Sequence, residues 1–448
     1  MGQGGFLPAR REGGKKMQDY YISDFVKVVF LSPNDDSYWF GYYNYCPISF
    51  DGERLLAHRF LCEEEKDFEQ EDVIEIGWFS LEDHSWHKVA TTHAANWQQG
   101  AMAQWLLDDG QECIIFNDAD GDKYVSKIAT QNGVIKRQLP CGIYGINHNQ
   151  AFSITLNFER AYWCRTYHYQ YIRKDCYDVS TCEVDGIYKL DISTGKLKKI
   201  ISIEDIIQYD SRDNFAEGKH WVEHIMLNPS GTRFAFYHRF DLGDGYQTRC
   251  FTANIDGEEL YCLPGWEENN WSHLGWKNNE EFVLFGVKRK KLGEAYSKIT
   301  QKTGTLGGLL RKIYRKVFAR FVTPQMHNKL AASSNYQCYI DKQGKVGCYE
   351  KDLLVHDGHP SFTADERYML SDTYAIDGYR YLYIYDTKTN RVYELGHFFS
   401  PVNGTGYRCD LHPRFSRDER HVIIDTAFSG KHNIMVLEID WKHIKGDK

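Results

Sequence analysis

Apolar and polar positions along this chain alternate in short runs separated by Gly, Asn and Asp, and one such arrangement recurs. Four segments, HIMLNPSG, HLGWKNNE, HPSFTADE and HPRFSRDE, align without gaps on the apolar residue three places after their histidines: Leu227, Trp276, Phe362 and Phe415. The turn then falls at Ser230-Gly231, Asn278-Asn279, Asp365-Glu366 and Asp418-Glu419. Upstream, Tyr45 to Gly52 fits the same template, as more loosely do Met102 to Gly110 and Ile143 to Phe152, none of them with the histidine. An apolar strand follows each turn, such as Arg54-Leu55-Leu56-Ala57-His58 or His421-Val422-Ile423-Ile424, and a hairpin strand such as Ile187 to Asp191 often comes next. Alternation between turn residues is the signature of strands and hairpins. About seven such units of roughly 40 to 50 residues predict propeller blades, because one small sheet cannot bury both of its faces alone.

The expected fold is therefore all-β, a seven-bladed β-propeller forming a single domain over residues 23–448 after a disordered leader over residues 1–22. No Pro/Ser/Gly-rich linker divides the chain. The last repeat, after Asp410, has room for only about three strands. The early run Phe25 to Phe30, in a closing strand at about 25–31, is expected to supply the fourth and to remove an exposed edge. At 448 residues, 42% hydrophobic and 15% aromatic, the chain can fill such a core. The leader has a basic stretch but no apolar run long enough for a secretory signal or a membrane span. Phe6 stands where a myristoylation signal after Met1-Gly2 wants Ser or Thr. Twelve cysteines scattered without a CxxC pair fit reduced thiols in a cytoplasmic protein. Cys176 and Cys182 are close enough to be weighed as soft metal ligands, although the usual zinc spacing is absent.

The net charge of −8 argues against a nucleic-acid binder, but one segment runs the other way. A stretch at 288–332, too long for a blade loop, carries eleven basic residues from Lys288 to Arg320 opposed there only by Glu294. Within 309–322, Leu309, Ile313, Val317 and Phe321 recur at helical spacing, with Phe318 beside them and Arg311, Lys312, Arg315 and Lys316 in the gaps. The pattern predicts a basic amphipathic helical insertion in blade five. One reading lays the helix on an anionic membrane surface, which would make the protein peripheral on the inner membrane. Others pack it on the propeller's flank with a solvated basic face, or against a protein partner or an anionic glycan.

First strands of propeller blades line the central channel, so the histidines at one register, His224, His273, His359 and His412, are expected to converge. Neutral imidazoles are common ligands for borderline divalent metals, and manganese or zinc is the expected cofactor. Asp357 and Asp410 each stand two residues before a histidine, on the same face of a strand if one forms there. The alternative is a repeat consensus in which each histidine ties its blade to a neighbour's backbone. His220 and His238 belong either to the site or to the surface. The first half supplies polar and aromatic groups instead: Trp97 and Gln99 in Asn-Trp-Gln-Gln-Gly, Asn117 in Phe-Asn-Asp, and Arg165, Tyr167 and Tyr169 in Cys-Arg-Thr-Tyr-His-Tyr. Aromatic faces beside Arg, Asn and Gln suit a sugar, and cross-strand packing accounts for any one of them equally well.

The runs FGYYNYCPISFDGERLLAHR, HWVEHIMLNPSGTRFAFYHR, DGHPSFTADERYMLSDTY and RCDLHPRFSRDERHVIIDTAF resemble a largely uncharacterised bacterial propeller family, itself similar to the oligogalacturonate lyases and ulvan lyases. Some of its members carry a glycosyltransferase label, but no Asp-x-Asp motif on an α/β sheet is seen here. The oligogalacturonate lyases are seven-bladed cytosolic propellers that hold manganese on histidines and a glutamine. The resemblance implies metal ligands at His273, His359 and His412, with His224 as ligand or base; no residue matches the glutamine. Ulvan lyases use two histidines where this chain has Gln99 and Asn117. The implied chemistry is β-elimination on an acidic oligo- or polysaccharide. His224 and Arg239 with Tyr167 or Tyr169 form the catalytic set, and Arg165, Arg408, Trp97, Gln99 and Asn117 bind substrate. The alternative is a non-catalytic glycan-binding or scaffolding propeller at the cytoplasmic membrane, in surface-polysaccharide metabolism.

Overall fold

The computed structural model describes residues 11–12, 15–16, 19–165, 168–209, 218–241, 246–289, 332–349, 352–401 and 406–446. Seven antiparallel sheets follow one another along the chain. Blade one holds Ser37–Trp39, Arg54–Phe60, Ile74–Ser80 and Trp86–Thr92. Blade two holds Gln104–Asp108, Gln111–Asp120, Lys123–Thr130 and Ile135–Leu139. Blade three holds Gly145–Ile146, Phe152–Leu156, Gly186–Asp191 and Leu197–Ser202. Blade four is Lys219–Leu227, Arg233–Asp241, Tyr246–Asn254 and Tyr261–Cys262. Blade five is Asn269–Trp276, Glu281–Arg289, Ala332–Ile340 and Gly344–Tyr349. Blade six is Ser361–Phe362, Tyr368–Asp372, Tyr379–Asp386 and Arg391–Phe399, and blade seven starts with Arg414–Phe415, His421–Thr426 and Asn433–Ile439.

The repeat seen in the sequence is a structural register. Leu227 pairs with Phe234, Trp276 with Phe282, Phe362 with Met369 and Phe415 with Val422. Blade seven takes its outermost strand from the start of the chain, Val26–Leu31, which pairs with Asn433–Ile439. The Phe30 ring of that strand packs, tilted, 5.1 Å from Phe79 of blade one, so the ring of blades is closed by apolar packing as well as by backbone bonds. Tyr20–Ile22, assigned to a leader from the sequence, pairs as a fifth strand on blade six. The inserted segment around 290–331 lies outside the described residues, and with it the expected helix and its Arg311, Lys312, Arg315, Lys316, Phe318 and Phe321. The backbones of Arg289 and Ala332, on either side of it, form the last rung between the second and third strands of blade five.

Between blades, apolar side chains from adjacent sheets interdigitate, as Leu55, Ile76, Ile114 and Phe116 do with no exposed surface. Towards the channel the chain leaves regular β structure beside several of the first strands, and those backbone N–H groups need other partners. Polar residues at one place in the second strands provide them. His58 Nε2 accepts from Ala101 N at 2.9 Å, and Asn117 Oδ1 from Ile143 N at 2.6 Å. Asp372 accepts from His359 N at 2.8 Å, and Asp425 from Phe40 N and Gly41 N at 2.9 and 2.8 Å. Gly100 has φ +58° and lies against the His58 imidazole, where a Cβ would collide with the ring.

Asp425 bridges blade seven to blade one and also accepts from Arg414 Nη2 at 2.8 Å. Asp425→Ala leaves two backbone donors and a guanidinium buried without their carboxylate. We expect a loss of about 3 kcal/mol or more, read as a lower urea midpoint with an unchanged m value.

Candidate functional site

The four register histidines meet in the channel. Their ring centroids follow the blade order: His224 to His273 at 5.9 Å, His273 to His359 at 4.1 Å and His359 to His412 at 4.3 Å. Irregular backbone aims them. A bulge between Glu223 and Met226 contains His224, another between Trp271 and Leu274 contains His273, and His224 and His412 have φ of +56° and +43°. Bulges re-aim a side chain at the cost of ladder bonds, and histidine is among the non-glycine residues most often found at positive φ. Tyr42 and Tyr43, from the segment ahead of blade one's repeat, close the ring from the other side. Tyr43 lies 5.0 Å from His359 and donates its hydroxyl to Leu274 O at 2.7 Å.

Carboxylates set the imidazoles. His359 Nδ1 is 2.9 Å from Asp372 Oδ1, and His273 Nδ1 is 3.0 Å from Asp357 Oδ1. A carboxylate only accepts, so each Nδ1 carries a proton, and Nε2 is the nitrogen left for a ligand. The sequence pattern paired each acid with its own blade's histidine; Asp357 instead serves His273 of the preceding blade. Asp410 does join His412: one donor atom from each of His359, Asp410 and His412 lies within 4.8 Å of the other two, and all three residues are buried. Burial pushes His224 and His412 well below the ordinary imidazole range and lowers His273, so these rings are neutral at neutral pH. Burial alone would raise Asp410, but Arg380 at 2.7 Å and Arg408 at 3.1 Å override it and hold it ionised.

Cations form the walls. A short helix, Phe158–Cys164, is capped at its start by the Asn157 side chain and ends on Arg165. Arg165 and Arg239 meet the buried Glu223 at 3.5 and 2.6 Å and lie 4.8 Å each from the ring of Tyr246. Burial acts to raise Glu223, and the guanidiniums of Arg239 and Arg165 more than offset it, so its carboxyl stays well below its usual range. Across the cavity Arg380 and Arg408 lie 5.4 and 5.8 Å from the ring of Tyr374.

Among the residues expected from sequence, His224, His273, His359, His412, Arg165, Arg239, Arg408 and Gln99 border one cavity. Trp97, Asn117 and Tyr169 do not. The Trp97 indole stacks on His432 at 4.3 Å and on Phe68 at 4.5 Å and donates to Lys66 O, so it fills the blade core. Asn117 spends its amide on Ile143 O at 2.9 Å and on the Tyr169 hydroxyl at 3.1 Å, and Tyr169 is buried against Phe158. Tyr167 lies outside the described residues. His220 and His238 are both fully buried, 3.0 Å apart and away from the cavity. Sequence reasoning missed Tyr42, Tyr43, Tyr246, Tyr374, Arg380 and Gln98. The first two stand three and two places ahead of Tyr45, which holds the histidine register in blade one, and that offset was the available signal.

No family model matches the chain, and no curated protein matches it. Solved structures do. The crystal structure of an oligogalacturonate lyase from Vibrio parahaemolyticus is 14% identical with a TM-score of 0.55, over 94% of this chain and 96% of that one. An oligogalacturonate lyase in complex with manganese is 13% identical with a TM-score of 0.57, over 94% and 96%. At such identity the similarity is one of fold, a seven-bladed propeller along nearly its whole length.

Glu223 offers a test of the site's electrostatics. Its folded pKa lies below the unfolded value of 4.5, so its contribution is present above about pH 4.5 and fades as pH falls through the folded pKa. Glu223→Gln should cost about 3 kcal/mol near neutral pH. The gap between parent and variant in urea midpoint should narrow steadily below pH 4.5.

Proposed function

We propose that this chain is a glycan-active propeller whose channel cavity binds an acidic oligosaccharide and cleaves it beside a uronate by β-elimination. The observation that carries this reading is the meeting, in one cavity, of a buried His/Asp donor cluster with the guanidiniums of Arg165, Arg239 and Arg408. Guanidinium forks match carboxylates, and aromatic faces such as Tyr246 and Tyr374 match the CH faces of a sugar ring.

The donor set fits a divalent ion. His359, Asp410 and His412 would hold it, with His273 next in the ring, and two imidazoles with a carboxylate suit manganese or zinc. The Asp372 contact fixes the His359 tautomer, as is usual for a metal-bound histidine. When bound, such an ion neutralises a uronate carboxylate and makes the adjacent C–H more acidic. The protein's own groups supply the rest. Arg165 and Arg239 orient the substrate's anionic group, and Glu223 keeps both guanidiniums in place. His224, neutral because it is buried, takes the proton from the carbon beside the carboxylate.

One observation favours a second reading, a binding propeller without catalysis. Asp410 is already held by Arg380 and Arg408, so a cation must compete with two guanidiniums for it. In that reading the basic segment 309–322 would place the protein at the cytoplasmic membrane. The backbones of Arg289 and Ala332 stand at the end of blade five that corresponds to the Arg239 end of blade four. Co-sedimentation with anionic vesicles, lost when Arg311, Arg315 and Phe318 are replaced together, is the expected sign of this attachment.

Elemental analysis separates the readings. The lyase reading expects about one divalent ion per chain, lost in the double variant His359→Ala/His412→Ala with circular dichroism unchanged. It also expects an ultraviolet-absorbing unsaturated product from uronate oligosaccharides, formed at least about 100-fold more slowly by His224→Ala. Absence of both metal and product would leave the binding reading.

A further inference from the structure

Elimination also needs a donor for the departing glycosidic oxygen. Of the two tyrosines expected from the sequence, Tyr169 is buried in the blade core, and Tyr167 lies outside the described residues. Among the described residues, four tyrosines border the cavity: Tyr42, Tyr43, Tyr246 and Tyr374. Tyr43 already gives its proton to Leu274 O. Tyr246 and Tyr374 each lie beside two guanidiniums and serve as platforms for the charged groups.

Tyr42 differs because a directed chain of hydrogen bonds ends on it. Asn96 Nδ2 points to Gln99 Oε1 at 3.5 Å, which orients the Gln99 amide. Gln99 Nε2 then donates to the Tyr144 hydroxyl at 3.0 Å, and that hydroxyl donates to the Tyr42 oxygen at 3.1 Å. An amide nitrogen only donates, so the direction runs from Gln99 to Tyr42. The Tyr42 oxygen is thus an acceptor within the protein, and its own O–H remains to be donated to an occupant of the cavity. The ring stands 6.2 Å from that of His224 and 6.5 Å from that of His412, between the base and the donor cluster.

We propose that Tyr42 is the general acid of this site and that Gln99 and Tyr144 are positioning residues that aim its hydroxyl. The proposal rests on the β-elimination reading above. In that step His224 removes the proton from the carbon beside the carboxylate, and the electron pair forms a carbon–carbon double bond. The bond to the glycosidic oxygen breaks, and the Tyr42 proton passes to that oxygen. The proton on His224 then returns to the Tyr42 phenolate, directly or through one water, and both groups end as they began. Burial keeps the phenol protonated beforehand, since it raises Tyr42 well above the ordinary range.

The test compares two leaving groups: a uronate oligosaccharide that expels a sugar alkoxide, and a synthetic uronate that expels an aryloxide from the same carbon. Only the alkoxide needs a proton to depart. Tyr42→Phe should slow the oligosaccharide by about 100- to 1,000-fold and the aryloxide substrate by less than about 10-fold. Tyr144→Phe and Gln99→Leu should show the same selectivity with smaller losses, and should do so even if Tyr42→Phe fails to fold. Equal losses on both substrates, or none, with an active parent, would overturn the role of Tyr42 alone. A parent inactive on both would overturn the lyase reading, and this proposal with it.

Discussion

Backbone N–H groups near the centre of this propeller have no ladder to join, and the molecule is organised around satisfying them. A buried donor left unpaired costs about 1–3 kcal/mol, and such donors occur at Phe40, Gly41, Ala101, Ile143 and His359. The answer is nearly the same in each case, a polar side chain three residues beyond the second-strand position that pairs with the repeat's apolar residue: His58 after Leu55, Asn117 after Ile114, Asp372 after Met369 and Asp425 after Val422. Apolar packing joins the blades along their faces, but it is not directional. These polar contacts give direction, and they fix the segments that carry the cavity's side chains.

The histidine centre is a consequence of that irregular backbone. Regular strands would alternate successive side chains across the sheet. Bulges and positive φ at His224 and His412 break the alternation and allow four imidazoles, a carboxylate and two tyrosines to share one end of a channel. The same residues perform both tasks in places. Asp372 holds the backbone of His359 and its Nδ1 together, so the bond that closes a structural gap also selects the tautomer.

Much of this was legible in the sequence, and the rest fails for identifiable reasons. The blade register, the closing strand and the meeting of the four histidines follow from spacing, because a repeat converts sequence position into height around an axis. Trp97 and Asn117 were read as sugar contacts, and Tyr169 as an acid, because their residue types suit those roles. Blade cores and channel walls draw on the same aromatic and amide residues, and only the direction of the side chain separates them. Tyr42 and Tyr43 escaped because they precede the repeat unit, where neither a period of two nor one of 3.6 applies. Tyr374 and Arg380 come from the connection between the second and third strands of blade six and the start of the third, positions that the repeat does not mark.

Charge decides what such a cavity can take. Around it the guanidiniums of Arg165, Arg239, Arg380 and Arg408 pair with Glu223 and Asp410, while Asp357 and Asp372 contact His273 and His359, so four cations stand against four carboxylates. Burial strips the proton from His224, His273 and His412 and denies the site the positive charge that those three imidazoles could otherwise bring. A polyanion would therefore enter a site with little net attraction of its own, despite the visible arginines. A cation held by His359, Asp410 and His412 would change that balance by its full charge, in surroundings where water does little to screen it. Rings that stay unprotonated keep their lone pairs for a ligand, and in the proposed reading a bound cation would supply the attraction for the anion that the histidines do not.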